Sequence, residues 1–431
     1  MRLLRRFCVL TLCLAMALAM SSVVRADAVT DWNAIAIQAI VNVTVVPPHG
    51  SAIGFLDSAT VQTAVYDAVE SITGRFRPYA VQVPGASGSP AAAVAKAAHD
   101  VLVNRFPSQT MFLDTTYHAY LTAHGLAETD AGVAVGAAAA AGIIALRAND
   151  GSFPLNPPPF TGGTAIGEWR PTPPAFAPML APWLASVTPF TLTSPSQFRA
   201  PTPPSLTSNR YATAYNEVKA LGARDNSART PEQTDLALFW SSNYLVLWNH
   251  ALRDIAAAHV PDISDSARLF ALANLAMADA GITAWDTKVH YVFWRPLTAI
   301  QNGDNDGNPE TAGDPNWQPL INNPNYPDYT SGANNVTGAV TRALALFFGT
   351  DEMDFSVDTT NHPPAIQQTR TYTRFSGAAE DVVNARIYEG IHFRFADVQA
   401  RKQGSHVAQW VFSHFLRSVD DDDHDDRDDE E

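Results

Sequence analysis

The sequence predicts an all-α protein, a helical bundle crossed by an irregular proline-rich strap. Apolar residues recur at intervals of three and four through most of residues 56–147 and 210–416, which is the period of an α-helix. Alternating β-branched runs, which would indicate strands, are few. Between the two regions, residues 154–204 hold 14 of the 30 prolines, and proline disfavours both helix interiors and central strands. These observations favour packed helical layers.

The first 26 residues have the layout of a secretory signal peptide. Three arginines precede an apolar run over residues 7–20, and small residues lead to a cleavage point after Ala26. A membrane-spanning helix needs roughly 18 to 20 apolar residues, so this run is too short to remain as an anchor. Both cysteines lie in this segment, so the mature chain would have neither disulfides nor thiolate sites. We predict an exported protein, periplasmic or secreted, with no membrane anchor after cleavage.

The charge of the chain excludes one class of partner. The 431 residues have a formal net charge of -15, and basic residues do not cluster beyond the first few positions. Nucleic-acid binding through phosphate contacts requires such a cluster, so no nucleic-acid partner is expected. Residues 420–431 contain ten acidic side chains and one arginine. We predict a disordered acidic tail over residues 418–431, with weak divalent-cation binding as the sharper alternative.

The mature chain divides into three structural regions before this tail. Residues 27–150 form an N-terminal helical layer, whose Ala-rich helices leave oligomerisation open. Residues 151–206 form the strap, which we expect to be ordered because its aromatic side chains would otherwise expose much apolar surface. Residues 207–417 form a C-terminal helical bundle. The predicted helices cover residues 56–72, 91–105, 111–123, 131–147, 210–221, 231–259, 265–290, 331–348 and 378–416.

Side chains that could bind an anion are concentrated in the last third of the chain. Lys288 and Arg295 are seven residues apart, which on one helix would place both cations on nearly the same face, about 10 Å apart along the axis. Pro296 disfavours helical geometry at Arg295, so this arginine is expected where the helix ends. Two converging cations can hold an oxyanion, although the spacing alone favours two ordinary surface cations.

Two further segments could complete such a site. Ser331 and Gly332 begin a predicted helix, whose first amides and macrodipole attract anions, although a plain N-cap explains them as well. Arg386, in a long predicted helix, can add a bidentate grip. His392 can act as a nucleophile or as a ligand to a metal or metalloid, although a lone histidine is more often structural. The combination, within roughly a hundred residues, favours an oxyanion site.

The three segments together resemble the signature shared by vanadium-dependent haloperoxidases and type 2 phosphatidic acid phosphatases. That signature reads K-x6-R-P, then P-S-G-H, then S-R-x5-H-x3-D. The first segment matches it completely, the second matches at Ser331 and Gly332, and the third matches at Arg386 and His392. The flanking residues are similar to the bacterial, exported haloperoxidase-like branch.

The departures from this signature are in the second and third segments. Thr330 stands for the proline, Ala333 for the histidine and Ala385 for the serine, while Asp397 lies one place late for the aspartate. In the family that histidine supplies acid–base chemistry, which typically contributes roughly 10²- to 10⁴-fold to a rate. Its replacement by Ala333 therefore predicts weakened or altered catalysis.

The resemblance implies an all-α fold with a site for phosphate or vanadate. In the phosphatases the counterpart of His392 attacks phosphorus, whereas in the haloperoxidases it is the vanadium ligand. Vanadate is then the implied cofactor of a haloperoxidase, and a phosphatase needs none. The implied partners are hydrogen peroxide and halide, or a phosphate ester, with a small organic substrate. The oxyanion-binding residues carried over are Lys288, Arg295, Ser331, Gly332 and Arg386.

Three hypotheses about function stay open at this point. The first is a vanadate-dependent haloperoxidase-like enzyme with weakened activity, the second an exported acid phosphatase with His392 as nucleophile, and the third a non-catalytic phosphate- or vanadate-binding protein. His290 is a candidate for the missing proton-transfer group, although a buried structural histidine is the more common case. For substrate selectivity the sequence suggests Trp294, Tyr329 and Phe393.

Overall fold

The computed structural model describes residues 27–42, 49 and 51–421, and this part of the chain is mostly helical. The all-α prediction is confirmed. The predicted signal peptide, and the acidic tail beyond residue 421, lie outside the described residues. No helix within the described ranges is long and apolar enough to cross a membrane. The helices are α1 (Ala28–Ile40), α2 (Ser51–Thr73), α3 (Pro90–Arg105), α4 (Thr110–Ala123), α5 (Ala131–Arg147), α6 (Asn209–Leu221), α7 (Pro231–Trp240), α8 (Tyr244–His259), α9 (Ile263–Tyr291), α10 (Pro296–Gln301), α11 (Gly332–Phe348), α12 (Phe375–Tyr388) and α13 (Arg394–His414).

Helix α9 is the central element of the fold. It is buried along nearly its whole length and packs against α2, α11 and α13. A helix that is apolar on all sides is typically buried. Helices α11 and α13 approach closely because Gly404 has no side chain, and a Cβ there would overlap the Asn335 carbonyl oxygen. Near the carboxyl end of α9, Lys288 is fully buried, whereas His290 is exposed.

The proline-rich strap is ordered against the bundle, as predicted. Trp169 is fully buried, and its backbone N–H donates to the Val292 carbonyl oxygen at 2.7 Å. The Trp294 N–H donates in turn to the Gly167 carbonyl oxygen at 2.9 Å. The strap is thus hydrogen-bonded to the loop that follows α9. Phe176 departs from the prediction, because 63% of its surface is exposed.

Two of the predicted helices are each broken in the structure. The run over residues 231–259 divides into α7 and α8, where the Asn243 side chain accepts the Leu245 N–H at 3.1 Å and caps the second helix. The run over residues 378–416 divides into α12 and α13 at Gly390, whose φ of 80° is one that glycine adopts readily. His392 therefore lies in a connecting segment and not in a helix, which corrects the prediction.

Helices α1 and α10 and strands β1 and β2 are absent from the sequence prediction. Helix α1 begins at a capping box formed by Asp27 and Thr30, and it precedes the first helix that the pattern indicated. Between α11 and α12, strands β1 (Glu352–Asp358) and β2 (Thr369–Arg374) form an antiparallel hairpin. A single two-stranded sheet leaves the fold class unchanged.

Candidate functional site

Lys288 and Arg295 belong to different elements. Helix α9 ends at Tyr291, and Arg295 immediately precedes α10, whose first residue is Pro296. Proline is well suited to the first position of a helix because its missing N–H has no intrahelical acceptor there. The expectation that Arg295 is not helical is therefore confirmed. The expectation that Lys288 and Arg295 share one face of a single helix is wrong.

Both cations nevertheless converge on one loop. The Lys288 ammonium donates to the carbonyl oxygens of Pro327 (2.6 Å) and Asp328 (3.1 Å). Arg295 Nε donates to the Tyr326 carbonyl oxygen at 2.8 Å. Lys288 and Arg295 are fully buried, and they lie 4.9 and 4.8 Å from the centroid of the Tyr326 ring. This loop thus brings two basic groups together inside the protein, and burial, followed by the charge of Arg295, holds the pKa of Lys288 well below its ordinary value.

One ring nitrogen of His392 contacts the same loop, and the other contacts Arg295. Its Nδ1 lies 2.7 Å from Asp328 Oδ1, and its Nε2 lies 3.2 Å from Arg295 Nη1. A carboxylate at Nδ1 favours the tautomer that carries the proton there, which leaves the Nε2 lone pair to accept from Arg295 Nη1. Burial, and then the charges of Arg295, Lys288 and Arg386, hold the pKa of His392 well below its ordinary value. The imidazole is therefore neutral.

Ser331 and Gly332 stand at the amino end of α11. Ser331 is the N-cap residue and is fully buried, but its hydroxyl makes no capping bond. Asn334 links it to a buried carboxyl group, since Asn334 Nδ2 lies 3.4 Å from Ser331 Oγ and donates to Asp397 Oδ1 at 2.8 Å. The first N–H groups of a helix have no intrahelical acceptor. The start of α11 can thus offer backbone donors to an anion.

Arg386 approaches from the last turn of α12. Its Nη1 lies 2.6 Å from Glu389 Oε2, and both residues are buried. Arg386 also lines a cavity together with Gly332 and Tyr326, which joins it to the start of α11 and to the loop that holds the other cations. The structure therefore places all six predicted residues around one buried region.

Two guanidinium nitrogens in this region are buried without a partner. Arg295 Nη2 and Arg386 Nε make no hydrogen bond within the part of the chain that the structure describes. A buried donor without a partner typically costs about 1 to 3 kcal/mol. A bound oxyanion would supply the missing acceptors, and neutral His392 would offer it a lone pair.

The sequence did not single out the carboxyl groups that face these cations. Asp328, Glu389 and Asp397 are all fully buried. Burial raises the pKa of Asp328 and of Glu389 to about 7, against the opposing charges of the neighbouring cations, and burial followed by the charge of Asp328 raises the pKa of Asp397 well above its ordinary value. Both Asp397 and Glu389 had a signal in the sequence: Asp397 is the displaced aspartate of the third segment, and Glu389 lies three residues after Arg386, a spacing at which helical side chains can pair. Burial thus favours the neutral form of Asp397, whereas Asp328 and Glu389 stay partly ionised near pH 7.

Ala333 lies at the edge of the site, where the family has a histidine. It is half-buried and lines the cavity that also contacts Arg386. His290, the sequence candidate for the missing proton-transfer group, is exposed on α9, and its ring contacts Tyr291. That hypothesis is wrong, because the side chain two residues beyond Lys288 points away from the buried site.

The aromatic residues that the sequence suggested for selectivity are also placed differently. Trp294, Tyr329 and Phe393 pack in a separate apolar cluster and do not line the cavity. Trp285 and Tyr326 line it instead, with ring centroids 5.0 Å apart. The positions of Trp285 and Tyr326 in the sequence did not indicate that these two rings would line the cavity.

The sequence and the fold both match known proteins. A family model described as the VCPO second helical-bundle domain matches residues 268–421. Vanadium chloroperoxidase of Curvularia inaequalis is 30% identical over an alignment of 266 residues, and the match covers 46% of this chain and 43% of that protein. The matched stretch is thus less than half of the length of this relative.

Solved structures extend the similarity in fold over most of the chain. A bacterial vanadium-dependent iodoperoxidase superposes with a TM-score of 0.76 at 23% identity, covering 90% of this chain and 98% of that one. The apo form of a bacterial vanadium-dependent chloroperoxidase superposes with a TM-score of 0.69 at 19% identity, covering 84% and 92%. Together with the family model and the motif residues, these similarities support the superfamily of vanadium-dependent haloperoxidases and type 2 phosphatidic acid phosphatases.

Proposed function

We propose that this protein is an exported, vanadate-dependent haloperoxidase-like enzyme that uses hydrogen peroxide to oxidise halide. The observation that carries the proposal is the buried cluster of Lys288, Arg295 and Arg386 beside the neutral His392, with guanidinium donors that lack acceptors. Export rests on the first 26 residues, and it remains a prediction. The curated relative supports the haloperoxidase chemistry, although only part of its length is matched.

The residues of the site fit vanadate, or phosphate as its structural analogue. His392 Nε2 would be the metal ligand, the three cations would neutralise the oxyanion, and Ser331 with the first amides of α11 would bind further oxygens. When bound, vanadate supplies an electrophilic centre that activates peroxide toward halide without changing its own oxidation state. Asp328 holds the imidazole through Nδ1, so that the lone pair of Nε2 stays available.

The site lacks the proton-transfer group that the family has at the position of Ala333. Ala333 cannot donate or accept a proton, so this step falls to water or to another acid. Asp397 is a buried acid in the first turn of α13 that accepts the Asn334 amide of α11, and burial favours its neutral form. We therefore propose an activity that is slower than in a site with the family histidine.

Parallel assays on purified protein test the proposal. Orthovanadate, peroxide and either bromide or iodide should halogenate an indicator dye, and omission of vanadate should abolish the reaction. Hydrolysis of a chromogenic phosphate ester, inhibited by vanadate, would instead indicate the acid phosphatase. Silence in both assays, with measurable phosphate binding, would indicate the non-catalytic oxyanion-binding protein.

Glu389 should make oxyanion binding depend on pH. Above pH 7 its ionised carboxylate adds negative charge beside Arg386, whereas below its pKa of about 7 the group is neutral. Sulfate, whose own charge is constant in this range, should therefore bind more tightly as the pH falls through 7. In Glu389→Gln the dependence should become shallower, and sulfate should bind about tenfold more tightly than to the wild type at pH near 8.

The control for this prediction is Glu380→Gln, which removes an exposed carboxyl group on α12, the helix that Glu389 follows. Isothermal titration of both variants with sulfate over several pH values gives the comparison. A wild-type pH profile in Glu389→Gln would contradict the role assigned to this carboxyl group.

A further inference from the structure

A cleft of about 610 Å³ lies where the later turns of α11, the start of α12 and the middle of α13 meet. It shares no lining residue with the cavity beside the oxyanion site. Its charged side chains are mainly basic, since Arg342, Arg401 and Lys402 line it together with one described carboxyl group, that of Asp351. In a chain whose formal net charge is -15, this basic cleft is a local concentration of positive charge.

The cations of the basic cleft are not neutralised by neighbouring carboxylates. Arg342 Nη2 donates to a neutral acceptor, the side-chain oxygen of Gln409, at 2.6 Å. Arg401 and Lys402 make no ion pair within the part of the chain that the structure describes. Asp351 accepts a backbone and a hydroxyl hydrogen bond from the first turn of α12, which engages its charge there. The cleft therefore offers positive charge to an anionic occupant.

The end of the chain carries the opposite charge and starts close to this cleft. Residues 420–431 contain ten acidic side chains. Just before them, the Leu416 carbonyl oxygen accepts from Arg268 Nε at 2.8 Å. The Arg268 guanidinium lies 5.8 Å from the centroid of the Phe347 ring, and Phe347 is the neighbour of Leu346, which lines the cleft. The acidic segment therefore begins beside the last turn of α11.

The acidic segment is long enough to reach the cations. Ten residues follow residue 421, and an extended chain spans at most about 33 Å over that length. Helix α13 rises about 1.5 Å per residue, so its last residue, His414, is about 18 Å from Lys402 along the axis. A short tether also gives the segment an effective concentration on the order of millimolar, which favours it over free anions.

We propose that the acidic tail, residues 420–431, docks in the basic cleft of its own molecule. Docking would replace the disorder that the composition of the tail predicts, and it would supply carboxylates to cations that lack them. The docked tail would contact α11, α12 and α13, whose ends carry Gly332, Arg386 and Asp397 of the oxyanion site. The inference does not depend on the proposed haloperoxidase function.

A chain that ends at Val419 tests the proposal against the full chain. In isothermal titration, a synthetic peptide of residues 420–431 should bind the shortened chain at one site. It should bind the full chain at least about tenfold more weakly, because the tethered tail competes for the cleft. Raising the salt concentration from about 0.05 to about 0.5 M should weaken binding to the shortened chain at least about tenfold, since salt screens exposed charges.

Substitutions in the shortened chain locate the peptide. Arg401→Glu combined with Lys402→Glu should weaken peptide binding at least about tenfold, because two attractive charges become repulsive. Lys402→Glu alone, at an exposed position, serves should the double variant fail to fold. The matched control is Arg210→Glu, which reverses the charge of an exposed arginine on α6 outside the cleft and should leave peptide binding unchanged.

Thermal unfolding at low salt gives an independent measurement. A docked tail stabilises the fold, so the shortened chain should unfold at a lower temperature than the full chain. A solvated tail would only add repulsion among negative charges, so its removal would raise the unfolding temperature and overturn the proposal.

Three titration results would also overturn it. These are no peptide binding to the shortened chain, equal affinity for both chains, and equal affinity for the cleft variants and the control. Light scattering tests a second copy as the occupant, because dimers of the full chain that dissociate when the tail is removed would place the tail in another molecule and contradict docking within one chain.

Discussion

Replacing His392 with alanine should lower the kcat of halogenation by on the order of 10³-fold or more. This neutral imidazole is the proposed vanadium ligand, so its loss would remove that ligand while the basic residues around it remain. Vanadate affinity should fall as well, and sulfate binding should fall much less. Steady-state halogenation and titration with both anions measure the two effects.

The control for this substitution is His290→Ala. This exposed histidine of α9 does not reach the buried site, and its removal should leave the rate unchanged. A comparable loss in both variants, or a wild-type rate in His392→Ala, would contradict the proposed ligand.

Asp328→Asn separates positioning from ligation. Loss of the partner at Nδ1 should lower vanadate affinity by about 10- to 100-fold, which is typical of groups that orient a metal-bound histidine. In a His392→Ala background the same substitution should have little further effect, because the group that it orients is gone. An equal effect in both backgrounds would indicate that Asp328 acts only on the stability of the fold.

Replacing Ala333 with histidine should raise turnover about 10²- to 10⁴-fold, the usual contribution of a general acid–base group. Ala333 is half-buried at the start of α11 and lines the cavity beside Arg386, so an imidazole there has space and lies beside the oxyanion site. The rate at saturating peroxide and halide is the measurement.

Ala333→Phe controls for the filling of the cavity. A phenyl ring takes up similar space but cannot transfer a proton, so it should not raise the rate. If the histidine variant were no faster than the wild type, the alignment of this position with the family histidine would be contradicted.

The fold class followed from short-range patterns in the sequence. The helical period over α2 to α5 and over α9 predicted these elements closely, because amphipathic and buried helices both leave a repeat in the chain. The break at Gly390 did not appear in that pattern. One residue with a positive φ ended a helix that periodicity alone would continue, and so placed His392 in a connecting segment.

The sequence by itself determined the all-α class, the ordered strap and the set of residues that converge, since each depends on residue type and spacing along the chain. Only the tertiary structure decided what faces these residues. Asp328 at Nδ1 of His392, and the cavity that Arg386 lines with Tyr326, join elements that are far apart in the sequence, whereas Glu389 meets Arg386 at the end of one helix. Burial then determines their chemistry, because the protonation of a carboxyl group depends on surroundings that no local pattern encodes.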